Sequence, residues 1–132
     1  MNITYQKNII PSVDQIIELY NSAGLPRPTT DPDRMKKIFE NSGLVVSAWD
    51  DDKLVGVCRT ITDWVWCSYL ADIAVYPIYQ GTGIGKKLIE LTKETLGEQS
   101  MILLISVPEA LDYYPKLGFS REEKAFIKYR TQ

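Results

Sequence analysis

Hydrophobic residues along the chain follow two different spacings, and the change between them separates helices from strands. Apolar positions recur every three to four residues after Ser12 and again after Asp31, which predicts two amphipathic helices. Ser12 followed by Gln15 has the spacing of a capping box, and Asp31 followed by a proline is typical of a helix start. Two prolines and a glycine in residues 24–30 keep the two helices apart.

From residue 44 onward the spacing becomes that of β-strands. Runs rich in β-branched and aromatic residues at 44–49 and 54–61 flank a polar turn at 50–53, which predicts a hairpin. A third run covers residues 66–75, so three antiparallel strands are expected in succession. A short opening strand is expected before the first helix, within residues 4–10.

The second half of the chain adds one clear helix over residues 84–96, with apolar residues on one stripe and lysines opposite. Residues 101–107 are almost all apolar, which favours a strand buried on both faces. A short helix at 108–117 and a closing hairpin within 119–130 complete the order βααβββαβαββ. The expected fold class is α/β (α+β), a mixed, mostly antiparallel sheet flanked by helices.

Composition narrows the class of protein. The 132 residues, 45% hydrophobic and 24% charged, suit one globular domain over residues 1–132. A net charge of −2 does not favour nucleic-acid binding. Histidine is absent and there are only two cysteines, so neither a histidine-based triad nor a metal site is expected. Without a signal-peptide pattern or an apolar stretch of about 20 residues, a cytoplasmic protein without membrane contact is expected.

The segment QGTGIGK at residues 80–86 carries the candidate chemistry, because it follows a strand and opens a helix. Glycines let the backbone approach a ligand closely, and free N–H groups at a helix start favour a phosphate. A GxxxxGK[ST] loop would need glycine at position 80 and Ser or Thr at 87, and a GxGxxG fingerprint from Gly81 would need glycine at 86. The segment instead fills [Q/R]xxGx[G/A] with Gln80, Gly83 and Gly85.

This pattern resembles the acyl-CoA pyrophosphate loop of the GCN5-related N-acetyltransferase (GNAT) superfamily. A second segment, ALDYYPKLGF at residues 110–119, is similar to the A-x-x-F-Y-E-K-L-G-F signature of that superfamily. The resemblance covers nearly the whole chain and suggests a small, single-domain member of bacterial type. It implies a GNAT fold, acetyl-CoA as cosubstrate, and a primary amine, either a small molecule or a lysine side chain, as acceptor. Because dimers are common in this fold, it leaves a homodimer open.

The resemblance also assigns backbone groups to the cosubstrate. The N–H groups of the loop would hold the diphosphate of coenzyme A, and the preceding strand would pair with pantetheine and polarise the thioester oxygen. The loop residues are Gln80, Gly81, Thr82, Gly83, Ile84, Gly85 and Lys86, and the strand residues are Ile73, Ala74 and Val75.

Acetyl transfer also needs proton movements. Tyr114 matches the family tyrosine beside the thioester sulfur and is the candidate general acid, whereas Tyr113 is assigned to core packing. Pro115 stands where the family usually has an acidic residue. The candidate bases are Asp72 and Asp63, acting through ordered water, and a reaction without a dedicated base remains open.

Acceptor specificity is expected from the loop at residues 25–30, which begins at Leu25, and from the aromatic residues Trp64, Trp66 and Tyr69. Strand alternation would place Trp66 and Asp72 on one face of the sheet and Tyr69 on the other. An aromatic wall beside a carboxylate suits a cationic or aromatic amine, although these rings equally suit a core or a dimer contact. The alternative function is a non-catalytic acyl-CoA sensor or regulatory subunit.

Overall fold

A computed structural model describes residues 1–132, and its five strands form one sheet in sequential order. The strands are β1 (Ile3–Lys7), β2 (Leu44–Asp50), β3 (Lys53–Thr62), β4 (Cys67–Val75) and β5 (Met101–Leu104). The three pairings among β1, β2, β3 and β4 are antiparallel, and β5 pairs parallel with β4. The helices are α1 (Val13–Ala23), α2 (Pro32–Glu40) and α3 (Ile84–Leu96). The expected mixed, mostly antiparallel sheet flanked by helices is confirmed.

The helices lie on opposite faces of the sheet. Arg59 of β3 contacts the ring of Phe39 in α2, whereas the preceding residue, Cys58, contacts Thr92 in α3. Because successive strand residues point to opposite faces, α2 and α3 cover different sides. The buried apolar side chains form one cluster of 22 residues. No helix is both long enough and apolar enough to cross a lipid bilayer.

The predicted helix starts are confirmed by their caps. The hydroxyl of Ser12 accepts a hydrogen bond from the amide of Gln15 at 3.3 Å, and the carboxylate of Asp31 accepts one from the amide of Arg34 at 3.1 Å. Helix α1 ends at Gly24, whose positive φ of 72° is the left-handed conformation typical of a helix C-cap.

Strand β4 contains a bulge at Ala71. Asp72 pairs with Arg59 and Leu70 pairs with the next residue of β3, so Ala71 has no direct partner on β3. The pairing of β4 with β5 stops at the same level, with Leu70 opposite Leu104. Because a bulge bends a strand and increases its twist, residues 71–75 continue without a partner on the β5 side. This unpaired length of β4 is called the open edge below.

The strand predicted over residues 101–107 is shorter and more exposed than expected. Strand β5 is four residues long, and Met101 and Leu103 are 59% and 37% exposed. A strand buried on both faces needs helices on both sides. Here β5 is the last strand of the sheet, and Met101 and Leu103 have no helix over them.

The closing hairpin and the short helix before it were wrong predictions. Residues 108–117 form two separate 3₁₀ turns, Pro108–Ala110 and Tyr114–Leu117, and Pro115 has no N–H group with which to continue a helix. Residues 119–132 form no strand, and Phe126 is 98% exposed. Four consecutive charged residues at 121–124 and a local hydrogen bond from the Ala125 amide to the Glu122 carbonyl favour a turn there.

Candidate active site

Six consecutive amides at the start of α3, those of residues 81–86, donate no hydrogen bond within the protein. The first main-chain hydrogen bond of the helix runs from the Lys87 amide to the Gly83 carbonyl at 3.0 Å, and no side chain caps Gly83. Gly81 and Gly83 have φ values of 80° and 89°, a conformation that favours glycine. Free N–H groups at the positive end of a helix dipole are a favourable site for an anion.

The space above these amides is open. A Cβ atom added at Gly81 or Gly83 would meet no other atom within 4 Å. One added at Gly85 would lie 3.8 Å from the hydroxyl of Tyr113 and 3.9 Å from a methyl of Val75, which is ordinary contact. The loop therefore fits a diphosphate both in its donors and in the room it leaves. Lys86 is exposed beside it, with its Nζ 4.0 Å from the carboxylate of Glu90.

Side chains of the loop hold it against the end of β4. The Nε2 of Gln80 donates to the carbonyl of Val75 at 3.0 Å, and the hydroxyl of Thr82 donates to the carbonyl of Tyr79. These two bonds fix the path of the chain between β4 and α3 without using any amide of residues 81–86.

Alternation along β4 determines which of its amides face the open edge. The amide of Tyr76 donates to the carbonyl of Val55 on β3 at 3.0 Å, so the amide of Ala74 also points towards β3. The amides of Ile73 and Val75 therefore point to the open edge. Ala74 itself is buried and does not present its amide there.

Tyr114 lies half-buried in the 3₁₀ turn that follows β5. Its ring packs edge-on against Tyr113 and Phe119, with centroids 5.4 and 5.9 Å away, and its hydroxyl makes no hydrogen bond. Burial raises the pKa of Tyr114, and the thiol of Cys58, opposite Ile73 in the sheet, raises it further. The phenol is therefore protonated at neutral pH and has a proton to give.

Tyr113 was expected in the core but is 39% exposed. Its hydroxyl lies beside Gly85 of the loop, whereas Tyr114 packs against the core cluster. Adjacent residues in a tight turn point in different directions, so only one of the two tyrosines faces inward.

Asp72 is enclosed in a hydrogen-bonded cluster, and the geometry does not support its expected role as a base. Its Oδ2 accepts from the hydroxyl of Tyr20 at 2.8 Å and from the Nε of Arg59 at 2.6 Å, and its Oδ1 accepts from the Nε of Arg27 at 2.7 Å. Burial alone would raise the pKa of Asp72, but the hydrogen bond and charge of Arg59 and the charge of Arg27 lower it overall. A carboxylate with no exposed surface and a lowered pKa is a poor proton acceptor.

The same cluster, Tyr20, Arg27, Arg59 and Asp72, fastens the loop between α1 and α2 to the sheet. Arg27 belongs to that loop, and its Nη2 donates to the carbonyl of Ala71, the bulged residue of β4, at 2.9 Å. Arg59 also donates to the hydroxyl of Ser42, just after α2, at 3.2 Å. The loop is thereby held at the start of the open edge.

The chain matches the model of the acetyltransferase (GNAT) family over residues 13–119. It belongs to the GNAT family. An N-acetyltransferase ycf52-like protein of Prochlorococcus marinus, itself uncharacterized, is 32% identical over 97 residues, which cover 69% of this chain and 54% of that protein. The uncharacterized N-acetyltransferase ycf52 of Pyropia yezoensis is 29% identical over 127 residues, 91% of this chain and 70% of its own. This GNAT chain thus spans about half the length of the first relative.

Solved structures share the GNAT fold along the whole chain. A Staphylococcus aureus protein of unknown function, described as a probable acetyltransferase, superposes with a TM-score of 0.84 at 26% identity, covering 97% of this chain and 100% of that one. A GNAT family protein of Streptococcus pneumoniae gives a TM-score of 0.83 at 22% identity, covering 99% and 100%. At that identity the second likeness establishes the fold alone.

Asp63, the other candidate base, is a turn residue in this GNAT chain. Its Oδ1 accepts from the amides of Val65, Trp66 and Cys67 at 3.0, 2.8 and 3.1 Å. These hydrogen bonds lower the pKa of Asp63 and organise the turn between β3 and β4. The geometry therefore supports its structural role rather than a catalytic one.

The expected aromatic wall beside Asp72 does not form. Trp66 is 77% exposed in the turn before β4, and six strand residues at about 3.3 Å each place it roughly 20 Å along the chain from Asp72. Trp64 lies in the same turn with a φ of 74°. The bulge at Ala71 also reverses the alternation, so Tyr69 shares a face with Asp72 instead of opposing it.

Leu25, the other residue expected at the acceptor site, is half-buried against the core at the start of the α1–α2 loop.

Tyr20, Arg27 and Arg59 were not predicted as partners of Asp72. One feature of the sequence pointed to them, because Arg59 stands in the otherwise apolar run of β3 and a buried arginine requires an acidic partner. The sequence does not identify Asp72 as that partner, because the pairing depends on the register between β3 and β4.

Proposed function

We propose that this chain is an acetyl-CoA-dependent N-acetyltransferase that moves an acetyl group to a primary amine, either a small molecule or a lysine side chain. The observation that carries the proposal is the junction between the open edge of β4 and the free amides of residues 81–86. A molecule with a diphosphate at one end and an amide-bearing arm matches both features. The diphosphate suits the helix start, and the arm suits an unpaired strand edge. Acetyl-CoA supplies the activated thioester when it is bound.

The backbone of β4 both holds the cosubstrate and activates it in this proposal. The amides of Ile73 and Val75 face the open edge, so they are the donors available to the pantetheine arm and to the thioester oxygen. A fixed N–H group aimed at the carbonyl oxygen stabilises the negative charge that develops there during attack. Ala74 is buried in the core, and its amide, which points towards β3, is not available to the cosubstrate.

Tyr114 is the proposed general acid. A phenol with a pKa of about 10 gives its proton to a thiolate of pKa about 8.5 only as the carbon–sulfur bond breaks. The raised pKa of Tyr114 keeps that proton in place until then. Its hydroxyl has no partner within the protein, which leaves it available to the departing sulfur.

No carboxylate is assigned as base. Asp72 and Asp63 are both committed to structural hydrogen bonds, so the amine loses its proton to water before attack or as the intermediate collapses. The site does not favour a cationic acceptor, because Arg27 and Arg59 outweigh the charge of Asp72. The acceptor panel must therefore include neutral and anionic amines.

The alternative is a non-catalytic acyl-CoA sensor or regulatory subunit, and one observation favours it. The only buried carboxylate near the open edge is neutralised by two arginines, which leaves binding elements without a base. The free loop amides serve both functions equally, so turnover is the property that separates them. A cytoplasmic location and a single domain over residues 1–132 remain parts of either proposal.

Calorimetric titration with acetyl-CoA, followed by thiol release across an amine panel, tests the proposal. The panel contains polyamines, arylalkylamines, aminosugars, amino acids and lysine peptides. The transferase proposal expects saturable binding and turnover with at least one amine. Binding without turnover throughout the panel supports the sensor, and absence of binding contradicts both.

A further inference from the structure

The hydrogen-bonded cluster around Asp72 carries a net positive charge. Asp72 is its single acidic group, whereas Arg27 and Arg59 are both cations. No other acidic side chain forms an ion pair with either arginine. A partly buried positive charge without its own counter-ion is costly, and it favours an anion from outside the protein.

The excess charge lies at Arg27, because Arg59 is the more enclosed of the two arginines. The side chain of Arg59 is 10% exposed, and it donates to Asp72 and to the hydroxyl of Ser42. The side chain of Arg27 is 26% exposed. Its Nη1 donates one N–H to the carbonyl of Pro26, and the second N–H of that nitrogen has no partner within the protein. Arg27 therefore presents both a charge and a free donor.

The chain on both sides of Arg27 fixes its position. Prolines stand at positions 26 and 28, and each restricts the backbone around it. The amide of Thr29 donates to the carbonyl of Arg27 at 2.7 Å, and the hydroxyl of Thr29 donates to Asn21 of α1 at 2.7 Å. A guanidinium held in this way loses little further freedom when it binds a ligand, which favours binding.

Fastening the loop does not explain why residue 27 is charged. The carbonyls of Pro26 and Ala71 need only N–H donors. Asp72 already has the charge of Arg59 and the hydroxyl of Tyr20 as partners. The charge of Arg27 is thus available for a second role beside its structural one.

Arg27 lies where the acceptor of the proposed reaction would stand. Its Nη2 donates at 2.9 Å to the carbonyl of Ala71, the first residue of the open edge. Ile73, the nearest residue whose amide faces that edge, is two residues further on, about 7 Å along the strand. An amine that attacks a thioester held at Ile73 therefore comes within a few bonds of the guanidinium.

We propose that Arg27 binds an anionic group of the acceptor, so that the acceptors are small amines that also carry a carboxylate or a phosphate. The inference rests on the proposed transferase function and narrows its acceptor class. A charge-assisted hydrogen bond from Arg27 stabilises the bound anion, whereas the further ammonium groups of a polyamine are repelled. The same positive charge favours the uncharged, nucleophilic form of the attacking amine. Asp72 is then a positioning residue that orients the guanidinium.

Acetyl transfer to matched pairs of amines tests the proposal. Tyrosine and tyramine differ by a carboxylate, and O-phosphoethanolamine and ethanolamine differ by a phosphate. In at least one pair the anionic member should have a kcat/KM about tenfold higher or more, and that pair shows which anion is bound. Neutral members that react as well as the anionic members in both pairs would overturn the proposal while leaving the transferase function intact.

Arg27→Gln separates recognition of the anion from support of the loop, because it removes the charge but keeps N–H donors. A displaced loop affects both members of a pair alike, so it cancels in the ratio of their kcat/KM values. That ratio should fall about tenfold in Arg27→Gln, and a ratio that stays as in wild type would overturn the proposal. Arg121→Gln is the matched control and should keep the wild-type ratio. Arg121 is exposed and follows Phe119, which contacts Lys93 of α3 on the other side of the sheet.

A binding measurement on the wild-type chain decides the proposal even where no amine of the panel is acetylated, a result that contradicts the transferase function itself. The NMR signal of the Arg27 Nε–H group is followed without acetyl-CoA during titration with each of the four amines. A saturable shift with tyrosine or O-phosphoethanolamine, but not with its uncharged-group counterpart tyramine or ethanolamine, is expected. A signal that does not move, or that moves equally with both members of each pair, would overturn the proposal.

Discussion

At the scale of single residues, Asp72 stabilises the fold and is not available as a catalytic base. Tyr20, Arg27 and Arg59 use both of its oxygens, and its side chain has no exposed surface. Removing one partner of a buried ion pair leaves an uncompensated charge, which is costly. Asp72 is therefore expected to matter for stability and loop position rather than for proton transfer.

Asp72→Asn should lower the free energy of unfolding by about 3–5 kcal/mol at neutral pH. Because the folded-state pKa of Asp72 lies below its ordinary value, its contribution is complete above a pH of about 4 and is lost as the pH falls through the folded pKa. Urea unfolding from pH 7 down to pH 2 measures both effects. The free energy of unfolding of Asp72→Asn should lack this part of the pH dependence. The control Asp112→Asn, at an exposed site, should show the same pH dependence as wild type. An unchanged acid dependence in Asp72→Asn would contradict the cluster.

Tyr114→Phe should reduce turnover by about 100-fold or more, because the departing thiolate loses its proton donor. Stability and acetyl-CoA affinity should change little, because the hydroxyl makes no hydrogen bond in the structure. Thiol-release kinetics with the best amine of the panel, beside calorimetry, separates the two properties. The neighbouring Tyr113→Phe is the control and should keep near-normal turnover. Full activity in Tyr114→Phe would remove the assignment.

At the scale of elements, the junction of β4, the loop and α3 was the part most open to prediction. Helix α3 begins and ends at the expected residues, because an apolar stripe between Gly83 and Gly97 defines it. The bulge at Ala71 could not be predicted, because one extra residue in a strand leaves the hydrophobic pattern almost unchanged. Its consequence is large, since it reverses the face on which Tyr69 lies and ends the pairing with β5.

Gly83→Ala should weaken acetyl-CoA binding at least tenfold, because a Cβ placed among the free amides blocks the close approach of a phosphate. Gly24→Ala, at the end of α1, is a matched control. Both glycines are in the left-handed conformation with open space around them, so both variants should lose a similar amount of stability, about 1 kcal/mol. Calorimetric titration and thermal unfolding measure the two quantities. Equal affinities in the two variants would show that the start of α3 is not the binding site.

At the scale of the whole molecule, the core and the order of elements up to β5 were predictable, and the end of the chain was not. Residues 126–131 have the composition of a strand, yet a strand forms only where an edge receives it. The hydrogen-bonded cluster around Asp72 could not be predicted either, because Arg27 and Asp72 lie 45 residues apart in the chain.

The free amides at the start of α3, together with the open edge of β4, are expected to bind acetyl-CoA. Two-dimensional ¹⁵N–¹H NMR during titration with acetyl-CoA tests it most directly, because each amide reports separately. The amides of residues 81–86, with those of Ile73 and Val75, should show the largest shifts, and those of β1 should not move. Saturable binding with the largest shifts elsewhere, or no binding at all, would contradict the account.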